Sequence, residues 1–483
     1  MEHGIDITHH HSRIAFARLS EEQCRRLHDA SLQILERTGV RLYLQEALDL
    51  LKRAGAEAFD GNRVRIPARL VEQALETAPK RLVIYDRNGQ PTLFLEGYRS
   101  YYGPGSDLLH IIDHRTGERR RPVLQDVREG ITLCDALPNI DFVMSLFLPS
   151  DVPQTVADRF QMEVMLNYTT KPIVYVTYDT SGCLDAVEMA EIVAGGAHAL
   201  RERPFTLCYI NVTTGLRHNK EALEKLLFMA DKGLPALYIP VGSGGLTAPM
   251  TMAGAMALVN AGTLAGLVIA QLRQPGTPII VPGWGGEALD MRTMVEPYAG
   301  ADYQGIAEAL AHFYGLPVFT LGGASDAKLP DGQAAAEAAL TLLLRALSGG
   351  QLVHDLGYLE SGLCGSLAQL AICDEIVGWI KAALSEVEIN DETLALDLID
   401  QVGPDGQFLE SEHTLRHYRA RWYPRLFERE NYERWQSRGG KSVVQRAAER
   451  VEEILARHTP PLLPANVAAQ VHTVVDRAVQ RYG

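Results

Sequence analysis

The sequence predicts an α/β protein built on a (β/α)8 barrel with helical extensions at both ends. Three observations predict it. Eight short β-branched or aromatic runs recur through the middle of the chain, their starts 30 to 44 residues apart, close to the roughly 30 residues that a strand–helix–strand unit needs. Five of the runs begin at or just after a proline, namely Pro172, Pro204, Pro235, Pro278 and Pro317, where a strand tolerates a missing N–H. The runs are continuous rather than alternating, as parallel strands buried on both faces should be.

The elements follow in chain order. Met1 to Ser12 is polar, carries His3 and the run His9 to His11, and lacks the apolar stretch of a secretory signal, so it reads as a tail. Ser20 and Gln23 have capping-box spacing and open an amphipathic helix to about Arg37, within an N-terminal helical and β extension over residues 1–96. The barrel is expected over 97–385, its strands being Gly97–Gly103, Asp141–Leu148, Pro172–Tyr178, Phe205–Val212, Pro235–Val241, Pro278–Pro282, Pro317–Leu321 and Gln351–Asp355. Gly233 and Gly315 stand two residues before their prolines as helix stops. An open doubly wound sheet is the rival, but its Gly-rich dinucleotide fingerprint does not match Gly103-Pro104-Gly105-Ser106-Asp107. Residues 386–483 form a C-terminal helical extension packed on the barrel, with helices expected at Lys441–His458 and Pro464–Arg481.

One stretch tests the idea of a soluble protein, since Thr247 to Leu272 runs 26 residues without a charge, long enough to cross a bilayer. It is interrupted by Thr251, Asn260, Thr263 and Gln271, and lacks aromatic or basic anchors at its ends. Ala253, Ala257, Ala261 and Ala265 stand at four-residue spacing and permit close helix approach. The stretch therefore reads as a helix buried against neighbours or a second subunit, and a homo-oligomer is expected. No membrane partner is.

Lys plus Arg number 46 against 60 Asp plus Glu, a formal charge of -14, and no basic stripe exists for a phosphate backbone, so nucleic acid is excluded as partner. Six scattered cysteines without a CxxC pair fit reduced thiols and a cytoplasmic location.

In such a barrel the site forms at the C-terminal strand ends. Tyr101, Tyr102, Tyr178, Tyr209, Tyr238, Trp284 and Tyr358 lie at or just past those ends, and few carboxylates share the places. Aromatic faces suit a quaternary ammonium, which has no N–H to hydrogen-bond; the same rings would equally fill a wide mouth as half-buried core. Asp326 and Lys328 follow the seventh run, and His354 and Asp355 end the eighth. The histidine could donate to a ligand carboxylate or bond a neighbouring carbonyl. Neither a GxSxG elbow, a P-loop, an HExxH nor a CxxC is present, so neither covalent catalysis nor a tightly bound metal is predicted.

The stretches Ser325–Gln333 (SDAKLPDGQ), His354–Gly362 (HDLGYLESG), Leu137–Phe142 (LPNIDF) and Phe408–Thr414 (FLESEHT) resemble the trimethylamine:corrinoid methyltransferase family, with similar pattern from about residue 18 to 460. The resemblance implies a TIM barrel that moves a methyl group from a methylated amine to the reduced cobalt of cob(I)alamin or a related corrinoid, supplied by a small corrinoid-binding partner protein. Archaeal members carry pyrrolysine, and the corresponding position here is Gly332. Members without pyrrolysine act on quaternary amines such as glycine betaine. This fits their chemistry, because a quaternary nitrogen leaves as a neutral tertiary amine and requires no activation. A quaternary amine such as glycine betaine or a related betaine is therefore the expected cationic substrate. Trimethylamine or another tertiary amine, and a non-catalytic betaine-binding barrel, are the alternatives. Substrate contacts are expected from Tyr101, Tyr102, Tyr178, Tyr209, Trp284, Tyr298 and Tyr358 around the cation, with His354 and Asp326 toward a carboxylate. The protein's task would be to position one N-methyl group, and no catalytic side chain is assigned.

Overall fold

The computed structural model describes residues 5–6 and 15–483. The histidine run of the expected tail lies outside the described residues; Ile5–Asp6 pairs antiparallel with Arg99–Ser100. Seven parallel strands make the curled central sheet of a (β/α)8 barrel: Arg99–Tyr102, Ile173–Val176, Thr206–Val212, Ala236–Pro240, Ile279–Pro282, Val318–Leu321 and Leu352–His354. The register runs Ile173 to Thr206, Cys208 to Ala236, Ala236 to Ile279, Val281 to Val318 and Phe319 to Leu352, and returns from Leu352 to Tyr101.

The second expected strand, Asp141–Leu148, is corrected. It forms only isolated bridges at Val143 and Phe147, because Leu146 takes a left-handed φ of 62° that interrupts an extended run. Its first residues still cross the gap in the sheet. Asp141 N–H donates to Tyr102 O at 2.7 Å, its Oδ2 accepts from Tyr102 N–H at 2.9 Å, and Val143 N–H donates to Pro172 O at 2.9 Å.

Inside the barrel Tyr101, Leu207, Leu237, Ile280, Phe319 and Leu352 meet in one buried cluster. The hairpin Leu82–Tyr85 with Pro91–Leu95 closes its N-terminal end: Ile84, Leu93 and Leu95 join that cluster, and Phe94 N–H donates to Tyr101 Oη at 3.0 Å. The C-terminal end is left for the site.

Ser20 and Gln23 do form a capping box on helix Glu21–Gln33. That helix packs on Met252–Arg273, as do Gln45–Arg53, Ala68–Thr77 and Lys220–Lys232. The uncharged stretch is thus a core helix, with 78% of its most apolar window buried inside the chain. Asn260 is satisfied there by Nδ2 donation to Ser31 Oγ and Tyr314 Oη, both at 2.8 Å. Gly262, more than the alanines, sets the close approach, since a Cβ there would lie 1.8 Å from Gly215 O.

At the C-terminus, Val443–Arg457 packs on Leu367–Ala383 and Leu124–Ala136, and Ala465–Tyr482 on Ala157–Tyr168 and Thr180–Ala194. The segment before them differs: between Leu384 and Leu426 no residue is buried.

Candidate active site

At the C-terminal strand ends lies a cavity of about 340 Å³. Phe319, fully buried on strand Val318–Leu321, is the core ring against which several of the lining rings pack. The His354 ring stacks on Phe319 with centroids 4.1 Å apart and planes at 7°, Trp284 tilts against both at 5.1 Å from His354 and 5.7 Å from Phe319, and Tyr209 meets Phe319 edge-on at 5.8 Å. Tyr298, Tyr303 and Tyr358 complete the aromatic lining. Each position has a backbone reason. Tyr209 and His354 are on strands, Trp284 follows Pro282 by two residues, and Tyr298 is held by its N–H on Asp326 Oδ1 at 2.8 Å. Tyr358 donates its hydroxyl to Ser106 O.

Five of the nine expected substrate contacts therefore line the cavity: Tyr209, Trp284, Tyr298, His354 and Tyr358. The other four do not. Tyr101 is buried in the barrel core, and Tyr102, the next residue along the strand, faces the helix layer. Tyr178 is 44% exposed at the start of helix Thr180–Ala194. Asp326 accepts from Tyr298 N–H and from Ser361 Oγ at 2.8 Å, so it positions the Tyr298 loop. Tyr238, also noted as aromatic, points outward and bonds His218 Nδ1 at 2.6 Å. Gly332 opens helix Gly332–Ser348, exposed and outside the cavity lining, and a Cβ there would meet nothing within 4 Å. Strand alternation explains the tyrosines, because neighbours on a strand face opposite sides.

The expectation of few carboxylates is overturned. Asp107, Glu287, Glu296 and Asp355 all line the cavity, whereas neither Lys nor Arg does. Glu287 Oε1 accepts from Gly285 N–H at 2.8 Å, and burial pushes this carboxyl up to about 7. Asp107 is likewise raised by burial, although Gln161 Nε2 donates to it at 2.9 Å. Glu296 accepts from Ser243 Oγ at 2.6 Å. Asp355 sits at φ 79°, a conformation that costs a non-glycine residue on the order of 1–3 kcal/mol and collects at functional sites. Its Oδ1 is 2.5 Å from His354 Nδ1. A carboxylate only accepts, so the Nδ1–H donates to it and Nε2 is left for another partner. That Nε2 is buried and has no hydrogen-bond partner among the described residues. The phenols of Tyr209, Tyr298 and Tyr358 are pushed up by burial and then by the Asp355 charge, which keeps them neutral.

The missed carboxylates had two different sequence signals. Asp107 and Asp355 adjoin strand-end motifs, but Glu287 and Glu296 belong to a long loop after Pro282 whose path is set by contacts with another loop. Gly244 N–H donates to Glu287 O at 2.6 Å, and Gly286 N–H to Gly242 O at 2.7 Å. Such pairing leaves no periodic trace.

Around the mouth the same loops expose apolar side chains. Leu246 and Met250 follow strand Ala236–Pro240, and Met291, Met294 and Val295 follow Ile279–Pro282, exposed by 42 to 66%. For metals, the described residues hold one group with three ligand atoms within 4.8 Å of one another, Glu392, His413 and His417. It is on the C-terminal extension, apart from the cavity, and Glu392 is already engaged by Arg416 at 3.1 Å and His417 at 3.2 Å.

Comparison with known proteins adds three findings. A family model described as trimethylamine methyltransferase (MTTB) matches residues 5–483. The chain is 34% identical to trimethylamine methyltransferase MttB of Desulfitobacterium hafniense (strain DSM 10664 / DCB-2) over 97% of this chain and 95% of that protein. It is 29% identical to glycine betaine methyltransferase of Desulfitobacterium hafniense (strain Y51), over 96% and 98% respectively. Among solved structures, the Methanosarcina barkeri monomethylamine methyltransferase aligns with a TM-score of 0.46 at 10% identity, covering 91% of this chain and 89% of that one.

Proposed function

The chain belongs to the trimethylamine methyltransferase family, and from that premise we propose that it takes a methyl group from a quaternary ammonium cation and passes it to a corrinoid carried by a partner protein. The observation that carries this is the cavity's composition: aromatic faces and four carboxylates with neither Lys nor Arg in the lining. Each ring facing a desolvated cation contributes about 0.5–2 kcal/mol, and the carboxylates add attraction that a low-dielectric pocket screens weakly. A site so lined selects a cation.

The lining also grades the quaternary amines. A betaine would bring its own carboxylate among Asp107, Glu287, Glu296 and Asp355, with neither Lys nor Arg in the lining to meet it. We therefore place quaternary donors without a carboxylate ahead of glycine betaine and its relatives. Trimethylamine is the second reading. It is favoured by His354 Nε2, which in the neutral ring would accept the single N–H of a trimethylammonium ion.

The methyl acceptor fits the mouth. Leu246 and Met250 on one rim loop and Met291, Met294 and Val295 on the next are exposed apolar side chains on loops that line the cavity, and exposed apolar surface of this kind marks a partner's docking site. The partner's corrinoid supplies reduced cobalt, whose electron pair takes the methyl while the C–N pair stays on nitrogen and the amine leaves neutral. What this chain contributes is placement. Trp284 and the His354 ring, backed by Phe319, face the cation's apolar surface, Tyr209, Tyr298, Tyr303 and Tyr358 close the sides, and the carboxylates hold the charge before transfer. Orienting the reacting groups in this way contributes several kcal/mol. Neutralisation of the ammonium removes that attraction, which favours release of the amine.

Incubation with reduced cobalamin and a panel of donors tests the assignment. Methylcobalamin should form fastest with tetramethylammonium or choline, slowly with glycine betaine, and not with trimethylamine. Trimethylamine as best donor would move the assignment to the second reading, and a marked preference for betaines would overturn the ranking by carboxylate.

A further inference from the structure

We infer that the acidic arm formed by residues 385–412 seats in an apolar, arginine-rimmed groove on a second copy of this chain. The arm carries nine carboxylates, at 386, 388, 391, 392, 397, 400, 405, 410 and 412, and neither Lys nor Arg. It is also apolar: Val387 is 77% exposed, Ile389 74%, Leu396 66%, Ile399 50% and Leu409 76%. Helices Asp391–Leu394 and Leu396–Val402 contain no buried residue. Short helices of this kind are marginal in water unless an amphipathic face is packed, so the arm needs a covering surface that its own chain does not provide.

The complementary surface is a groove of about 1200 Å³ between helix Glu21–Gln33 and the first turns of Met252–Arg273. Its walls include Leu27, Ile34, Met252 and Leu258, and its charged rim is Arg18, Arg26 and Arg37 with Asp302. The three arginines are exposed, and Arg26 and Arg37 make no ion pair among the described residues. Apolar walls match the arm's leucines and isoleucines, and the guanidinium groups of Arg26 and Arg37 match its carboxylates, which they can engage bidentately, while Arg18 donates to the Asp302 and Gln304 carbonyls. A -14 molecule repels its copies in general. This contact places opposite charges together and so fixes a register.

Within one chain the two surfaces are far apart around the barrel. The groove is on the helix after Ala236–Pro240, and the arm leaves the helix after Leu352–His354, three barrel strands later. The contact is heterologous, arm into groove, so each copy gives one arm and receives one, and the assembly closes as a ring or as a reciprocal dimer.

Sedimentation velocity on the full chain at micromolar concentration tests this. The wild type should sediment as an oligomer. Leu396→Glu with Ile399→Glu on the arm, and separately Arg26→Glu with Arg37→Glu at the groove, should each shift it to monomer with an unchanged circular-dichroism spectrum, since all four residues are exposed in the single chain, and any fall in melting temperature should match the loss of association. Asp397→Lys with Asp400→Lys added to the groove pair should restore assembly. A monomeric wild type would overturn the proposal, as would an oligomer indifferent to the groove pair. Unchanged sedimentation with loss of corrinoid-protein binding in the arm variant would assign the arm to that partner instead.

Discussion

Trp284 is the side chain on which the cation site turns, because it touches both His354 and Phe319 and is the largest ring in the lining. Trp284→Ala should weaken binding of a quaternary ammonium about ten-fold, from the 0.5–2 kcal/mol of one cation–π contact, whereas Tyr102→Phe should leave it unchanged; calorimetric titration of both variants checks the contrast. Glu287 gives a pH dependence with a definite sign. Its carboxyl is raised from 4.5 to about 7 by burial, so the folded state holds the proton more tightly than the unfolded one. The fold is then favoured most below 4.5, loses stability as pH rises from there to about 7, and changes no further above. At about 1.4 kcal/mol per pH unit the loss is at most about 3 kcal/mol. Glu287→Gln should flatten the melting temperature over that window. Cation binding runs the other way, since the ionised carboxylate attracts the ligand: affinity should rise several-fold between pH 6 and 8 in the wild type and stay level in Glu287→Gln. These carboxylates were illegible in the sequence for a physical reason. Glu287 is drawn inward by Gly285 N–H within a loop that pairs with another loop, and neither spacing nor hydropathy records that pairing.

Elements were more legible than side-chain directions. Continuous apolar runs marked seven strands, five of them led by proline, because a buried parallel strand must be apolar on both faces and its first N–H is dispensable. The second run failed at Leu146, whose left-handed backbone no hydropathy pattern announces. Two glycines show how elements set the site. At Gly105, in the turn after Arg99–Tyr102, a Cβ would lie 2.0 Å from Asp355 Oδ1 and 2.3 Å from the Tyr358 hydroxyl. Gly105→Ala must therefore push two cavity groups aside, and should cut kcat/KM at least ten-fold with a lower Tm. Gly332 is the reverse case: exposed at the start of a helix, with nothing near its missing Cβ. Gly332→Ala should leave kcat/KM unchanged and raise stability by up to about 1 kcal/mol. Parallel steady-state and thermal measurements on the two variants separate a glycine that the site requires from one that it does not. A loss of activity in Gly332→Ala would place that helix start in the site after all.

For the molecule as a whole, the barrel closes its N-terminal end with the Leu82–Tyr85 hairpin and opens the other into an acidic, aromatic cavity with exposed apolar side chains on its rim loops. Net charge spoke against a polyanionic partner but not to the site; the cavity's acidity came from four carboxylates, two of them on one loop after Pro282. The C-terminal extension proved heterogeneous. Its last two long helices are amphipathic and pack on helices of the barrel, whereas the acidic arm between Leu384 and Leu426 has apolar residues that its own chain leaves exposed. The measurement that tests the central claim most directly follows the methyl group itself. The chain, with the partner corrinoid protein or free reduced cobalamin, is given a quaternary ammonium donor labelled with carbon-13 in its N-methyl groups, and carbon-13 NMR is recorded. Methyl transfer puts label on cobalt and releases one equivalent of demethylated amine. Donor bound, as judged by a raised melting temperature, with all label still on nitrogen would contradict it and leave a barrel that binds the cation without turning it over.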